Sequence, residues 1–306
     1  MAAALRVATR GSRLARWQAE RVAEMLGGPA ELVIVSTEGD RRADVPISAI
    51  GGTGVFVKEV ERAVLDGEAD LAVHSAKDLP AITADGLALA AVPERADPRD
   101  ALVGAALDEL PTGARIGTGS VRRRAQLASL RPDLGFGELR GNIETRVDKA
   151  VGFDAVVVAA AALDRAGLAD RISERLAPEL VLPQVGQGAL AVECRTDAAA
   201  VRERLAAIDD RGARAEVTAE RAYLARLGGG CTLPCGALAR TGADGTVSLE
   251  VLLASPDGRI VLRSSGQGDD PAALGAALAD DLLTQRGGQM LLDDLFVTSA
   301  GADGSL

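Results

Sequence analysis

The chain has 306 residues, enough for two or three domains with full cores and too many for a peptide-sized or disulfide-stapled scaffold. Hydrophobic residues make up 47% and charged residues 25%, which is globular composition and excludes disorder as the default. A net charge of −10 repels nucleic acid and anionic membrane, and an aromatic content of 2% offers few stacking platforms for bases, so an anionic ligand has to be gripped locally.

In chain order, residues 5–8 read as a strand, followed by the turn TRGS and a helix with Ser12 as N-cap and Leu14, Trp17, Ala19 and Val22 on one face. A second strand at 32–35 runs into an aperiodic Gly/Asp/Arg-rich stretch, 38–53, a candidate flap. Residues 55–65 have helical period and stop at Gly67. A buried strand at 71–73 ends in HSAKDLP, where Pro80 blocks helix continuation. PERADPRD, polar and twice proline-bearing, marks a boundary at 93–99. A second α/β unit follows, with a strand at 115–117 opening GTGSVRRR, a helix at 142–150, a strand at 155–159, a helix near Leu163 and a strand at 188–193. After a helix at 213–227 and the loop GGGCTLPCG comes a small α+β region, with a hairpin around SPDG and a helix at 272–283. VATRGSRLAR and IGTGSVRRR share a strand, turn, arginine-helix plan. Two related lobes would explain it, but so would the ordinary punctuation of α/β proteins.

GTGSVRRR combines free N–H groups at a helix N-terminus, a cap hydroxyl and three arginines, an anion cradle suited to carboxylates; adjacent Arg122 and Arg123 are not expected to share a face. Arg10, Arg140, Arg146, Arg165 and Arg195 also follow strand-end or helix-start signals, and ligands of open α/β sheets bind beyond the carboxyl ends of strands. One polyanionic ligand is the economical reading. HSAKDLP places His74, Ser75, Lys77 and Asp78 at such an end; Asp78 can take a proton or stabilise a cation, and Lys77 can hold a carboxylate. His74, the sole histidine, reads as a hydrogen-bonded strand-end residue, and no metal site is expected. Cys231 sits among glycines, as an accessible nucleophile or attachment point. Cys194 reads as a small core residue, Cys235 has no assigned role, and VGQGAL reads as a tight interdomain crossing. Three cysteines cannot all pair, which suits a reducing cytoplasm. The start MAAALRVATRGS lacks the pattern of an export signal, and no window offers a membrane span.

Taken together, ATRGSRLARWQA, GGTGVFVKE, HSAKDLP, ERADPRDA, GTGSVRRR, LRGNIETR, LPQVGQGALAVECR and GGCTLPCG, in this order over nearly the whole chain, resemble the porphobilinogen deaminase (hydroxymethylbilane synthase) family. The resemblance implies two α/β lobes like type II periplasmic binding proteins, 1–94 with 189–208 and 95–188, plus a C-terminal α+β domain, 212–306, carrying the cofactor cysteine. It implies head-to-tail condensation of four porphobilinogen molecules with loss of ammonia, giving hydroxymethylbilane, on a dipyrromethane cofactor anchored through Cys231, with Asp78 catalytic. It further assigns cofactor or substrate carboxylate contacts to Arg10, Ser12, Ser75, Lys77, Thr118, Ser120, Arg122, Arg123, Arg140, Arg146, Arg165 and Arg195, and implies a cytoplasmic monomer with no metal, nucleic-acid or membrane partner. Thr53 stands where the family often has lysine, Gly119 where it often has serine, and Cys235 where a small aliphatic residue is usual. A non-catalytic anion- or solute-binding protein of the same architecture is the alternative, but it leaves Cys231 and the third domain unexplained. A nucleotide enzyme built on GTGS lacks a Walker-type lysine.

Overall fold

The computed structural model describes residues 4–37, 54, 57–229 and 233–302, with side chains described to 295. The flap stretch 38–53, Thr53 and Cys231 lie outside the described residues. Three sheets organise the rest.

The first sheet contains β1 (Leu5–Arg10), β2 (Ala30–Val35), β3 (Leu71–Ser75), β4 (Leu87–Ala91) and β10 (Leu190–Arg195), in the order β2-β1-β3-β10-β4. The second contains β5 (Asp100–Val103), β6 (Arg115–Gly117), β7 (Gly135–Gly137), β8 (Ala155–Ala159) and β9 (Glu174–Arg175), in the order β7-β6-β8-β5-β9. In each, four strands run in the same direction and the one in the fourth position runs against them, supplied by the chain just after it crosses from the other sheet. The shared order makes the two α/β lobes related in topology, which resolves the faint sequence similarity in favour of repeated architecture. Every residue of β8 is buried, as expected for a strand covered on both faces.

Helix α1 (Arg13–Leu26) starts where the Ser12 hydroxyl accepts from Ala15 N, and stops at left-handed Gly27. Its buried face is Gln18, Ala19 and Val22. Trp17, expected on the core face, is instead 37% exposed, and Gln18 takes its place by donating to Ser75 Oγ. Helix α2 (Lys58–Leu65) covers the opposite face of the first sheet with Val60, Ala63 and Val64. The second lobe carries α3 (Val121–Leu130), α4 (Ile143–Asp148) and α5 (Ala160–Ala166); Ser120 and Asn142 cap the first two. The chain returns to the first sheet through a crossing in which Gly188, at φ 89°, lies against the outgoing crossing; a Cβ there would meet Ala96 O at 2.5 Å.

After α6 (Ala199–Ala206), α7 (Arg211–Leu227) leads to the third sheet, an antiparallel meander of β11 (Cys235–Thr241), β12 (Val247–Ala254) and β13 (Val261–Gly268). Helix α8 (Pro271–Asp280) packs on α7 and is followed by a short π turn and α9 (Gly288–Ala302). The π turn, Asp281–Gln285, shortens the expected 272–283 helix. At the α7–α8 crossing a Cβ on Gly275 would collide with Ala219 O and lie 2.9 Å from Ala222 Cβ. Gly275→Ala is therefore expected to cost ~1–3 kcal/mol by forcing the helices apart, read as a lower denaturation midpoint.

Candidate active site

Strand β3 delivers the chemistry. Its residues are buried up to His74. Pro80 then confines the next residues to a single 3-10 turn, Ala76–Asp78, so Lys77 and Asp78 project at the carboxyl edge of the sheet instead of entering a helix. Among the described residues the half-buried Asp78 carboxylate has no hydrogen-bond or ion-pair partner. Two cations lie within electrostatic reach of it, Lys77 on its own turn and Arg146 on α4 of the other lobe. Burial pushes Lys77 down to about 8; Asp78 and Asp100 pull upward, and Arg123 and Arg146 downward. Burial, Arg123 and Arg140 push Arg146 to about 10 against the pull of Asp78. The site thus brings Lys77, Arg123, Arg140 and Arg146 within electrostatic reach of one another, as a receptor for carboxylates does.

The GTGSVRRR segment behaves differently from its sequence expectation. Arg122 and Arg123 both turn inward onto Asp100, the buried first residue of β5: Arg122 Nη1 lies 2.8 Å from Oδ2, and Arg123 Nη2 donates to Oδ1 at 2.7 Å. Their long stems let neighbouring residues converge, which corrects the expectation that they cannot share a face. Arg122 also donates to Leu182 O and Arg123 to Val157 O, while the buried Gln187 amide donates to Asp100 Oδ1 and to Pro98 O. Burial alone would raise the Asp100 carboxyl; the two guanidinium groups outweigh it and hold it well below the carboxylate range. Arg123 still faces Lys77 and Arg146, and Arg122 feels Cys235 of the third sheet. Asp100 and Gln187 went unread in the sequence, although a carboxylate opening an apolar strand, DALV, signals a buried ion partner.

The hydroxyls of the cradle each accept a hydrogen bond, three of them from their own turns and Ser75 from helix α1. Ser12 caps α1, Ser75 accepts from Gln18, Thr118 Oγ1 accepts from Ser120 N, and Ser120 accepts from Arg123 N. Each keeps its O–H as a donor. Gly119 has a structural reason: a Cβ there would stand 3.0 Å from Leu139 O, so glycine lets that loop close on the cradle. Arg140 pairs at 3.4 Å with exposed Glu138. Arg10 ends β1 close enough to His74 to oppose its protonation. Arg165 bridges the lobes, donating to Gly188 O at 2.6 Å with its guanidinium 5.7 Å from the Trp17 ring; burial pushes it to about 10.

Arg195 does not join them. Strand β10 runs antiparallel to β3, so its start, Leu190, pairs with Ser75 near Asp78, and Arg195 lies ~17 Å away at the other end of the sheet. There it donates to Val64 O and pairs with Asp197. The expectation of a strand-end ligand contact fails for Arg195 because it assumed a parallel strand. Cys194 and Cys235 are both core residues, the former as expected. Glu220, unremarked in the sequence, ties α7 to the crossing by accepting from Gly186 N and Arg95, and to the third sheet by accepting from Ala239 N.

Residues 5–228 match the family described as "Porphobilinogen deaminase, dipyromethane cofactor binding domain", and residues 214–284 match "Porphobilinogen deaminase, C-terminal domain". The chain belongs to the porphobilinogen deaminase family. It is 45% identical over 300 residues to porphobilinogen deaminase of Brevibacillus brevis, covering 95% of this chain and 97% of that protein. It is 49% identical over 289 residues to porphobilinogen deaminase of Chromobacterium violaceum, covering 90% and 93%. Among solved structures, the Bordetella pertussis BvgS VFT2 domain, 17% identical, covers 67% of this chain and 86% of that one with a TM-score of 0.38; the fold here is read from the strand orders themselves.

Proposed function

We propose that this chain condenses four porphobilinogen molecules head to tail, releasing ammonia at each step and finally linear hydroxymethylbilane, on a dipyrromethane cofactor held by a thioether to Cys231. The observation that carries this reading is the Asp78 carboxylate, without a hydrogen-bond or ion-pair partner among the described residues, facing cations drawn from both lobes. Residues 1–94 with 189–208 would form the lobe bearing Asp78, 95–188 the cradle lobe, and 212–306 the domain bearing Cys231.

The residues present fit such a cofactor. Among the described residues, Arg122, Arg123, Arg140 and Arg146 face the carboxylates Asp78, Asp100 and the exposed Glu138, and with Lys77 beside them this concentration of positive charge matches the acetate and propionate groups of pyrroles. When bound, the dipyrromethane supplies the pyrrole α-carbon on which the product is assembled. Loss of ammonia from porphobilinogen leaves a methylene cation conjugated with the pyrrole nitrogen. Asp78 stabilises that charge and accepts a hydrogen bond from the pyrrole N–H. Once the new carbon–carbon bond has formed, the same carboxylate accepts the α-proton. Lys77, Arg140, Arg146 and Arg165, with Arg10 and the cradle hydroxyls, hold ring carboxylates so that the reacting carbons meet; Arg123 adds charge from behind.

The same reading makes the protein a cytoplasmic monomer that uses neither metal, nucleic acid nor membrane. No described helix is long and apolar enough to cross a membrane. Intact mass tests the function: the chain should carry a dipyrrole adduct and consume porphobilinogen with release of ammonia, and Cys231→Ser should carry none. A bare chain that releases no ammonia would favour the binding-protein alternative.

The Lys77 environment adds a pH dependence. The ammonium form, which holds carboxylates, is lost as pH rises through about 8. KM for porphobilinogen should therefore climb above that pH, and Lys77→Met should show a raised KM with this limb removed. An unchanged limb would place the titrating group elsewhere.

A further inference from the structure

The strand that leads to Asp78 also carries a buried polar cluster that the reaction does not use. His74 on β3, Glu193 on β10, Glu61 on α2 and Arg221 on α7 meet on one face of the first sheet. Glu193 pairs with Ala72 and Ala191 with His74, so Glu193 and His74 are diagonal neighbours, with His74 Nε2 3.4 Å from Glu193 Oε2. Five buried atoms here, His74 Nε2, Glu61 Oε1, both Glu193 carboxylate oxygens and Arg221 Nη1, have no hydrogen-bond partner among the described residues. Arg221 reaches Thr83 Oγ1 with its other amino group at 3.2 Å, and feels the charges of Glu193 and Glu61 without coming within ion-pair distance of either.

Buried polar groups are almost always satisfied, and a polar gap lined by several open donors and acceptors is where internal water is bound. No three of the described acidic, histidine or cysteine side chains are grouped to hold a metal ion. We propose that water bridges Arg221 to Glu61 and Glu193, that these two carboxylates share one proton, and that this link positions the helix running into Cys231 against the strand running into Asp78. The roles of Cys231 and Asp78 rest on the functional reading above.

The charges close. Arg221 is balanced by one carboxylate, the second carboxyl keeps its proton, and His74 is neutral. Burial and the neighbouring Glu61 push Glu193 up to about 7 against Arg221, and burial raises Glu61 against Arg221 and Lys58. Burial and Arg10 push His74 down to about 4. Arg221 lies ten residues before Cys231 and His74 four before Asp78, so the link joins the two segments the reaction must align.

The test compares the unaltered chain with Glu193→Gln, Arg221→Gln and the double variant. A carboxyl whose folded pKa is raised stabilises the protein fully below its unfolded value, and that contribution is lost as pH rises through the folded one. The unfolding midpoint of Glu193→Gln should therefore rise relative to the unaltered chain from about pH 5 to about pH 7. His74 acts oppositely below its unfolded pKa but in both proteins, so it cancels in the difference. Hydrogen exchange should quicken together in 71–78 and 211–227 in either single variant, with no further increase in the double. Turnover should fall about tenfold with KM little changed. A pH-independent midpoint difference, or additive effects in the double variant, would overturn the link. If Arg221→Gln does not fold, infrared spectra of the unaltered chain decide: a buried protonated carboxyl should titrate near neutrality and vanish in Glu193→Gln, and its absence overturns the shared proton. These readouts need no substrate, so a chain that failed to consume porphobilinogen would sink the functional reading and leave them standing.

Discussion

Asp78→Asn is expected to fold normally, keep its unfolding free energy within ~0.5 kcal/mol of the unaltered chain, and lose at least about 100-fold in turnover. Both halves follow from the same geometry. The carboxylate is half-buried without a hydrogen-bond or ion-pair partner among the described residues, so replacing it with an isosteric amide breaks no contact. Chemically the amide is a poor substitute, since it carries no charge to offset the methylene cation and cannot accept the α-proton. Losing charge stabilisation alone costs about 100- to 1000-fold, and losing the base as well places the variant at the far end of that range. Single-turnover ammonia release at saturating porphobilinogen is the measurement, because it isolates the step in which the cation forms. Release within tenfold of the unaltered rate would remove Asp78 from the chemistry. A variant that unfolds would show that the side chain supports the 3-10 turn instead.

The Asp78 segment was legible in the sequence because its signals are local. An apolar run sets β3, Pro80 forbids a helix after it, and the acidic and basic residues fall between them. The caps Ser12 and Ser120 were legible for the same reason, since a hydroxyl before a helical period needs only its own next turn. What failed is what depends on partners remote in sequence. Strand β7, Gly-Phe-Gly, has no intrinsic strand character and exists because it pairs with β6. Arg195 was misplaced because nothing local records that β10 runs against β3. The α1 face slipped by one residue because Gln18 is polar by composition but finds Ser75 to bond, while the large apolar Trp17 stays at the surface beneath Arg165. Arg122 and Arg123 were not expected to share a face because Asp100, which draws both inward, sits more than twenty residues earlier, inside what looked like a polar linker.

That buried carboxylate carries a large stability effect. Asp100→Asn should destabilise the chain by ~3–5 kcal/mol, because it leaves two buried guanidinium groups without their counter-charge while changing almost no volume. The amide also turns an acceptor into a donor facing donors from Arg122, Arg123 and Gln187. Arg123→Met in the same background removes one of the stranded charges, so the double variant should recover part of the loss. A double-mutant cycle by urea unfolding reads that coupling directly. The pH dependence has a definite sign. With its folded pKa held below the unfolded value, Asp100 contributes stability that is complete above about pH 4 and lost as pH falls through the folded value, so the gap between Asp100→Asn and the unaltered chain should narrow on acidification. The effect should reach function too. Asp100 opens β5 immediately after one interlobe crossing, and Gln187 bonds to it from the other. Freed arginines would therefore leave both crossings loosely held and Arg123 misaligned behind Lys77 and Arg146. A rise in KM larger than the fall in kcat is expected for the folded fraction of Asp100→Asn. If the variant instead unfolds at the unaltered midpoint, the two arginines have found other acceptors and the ion triad is not what fixes the cradle.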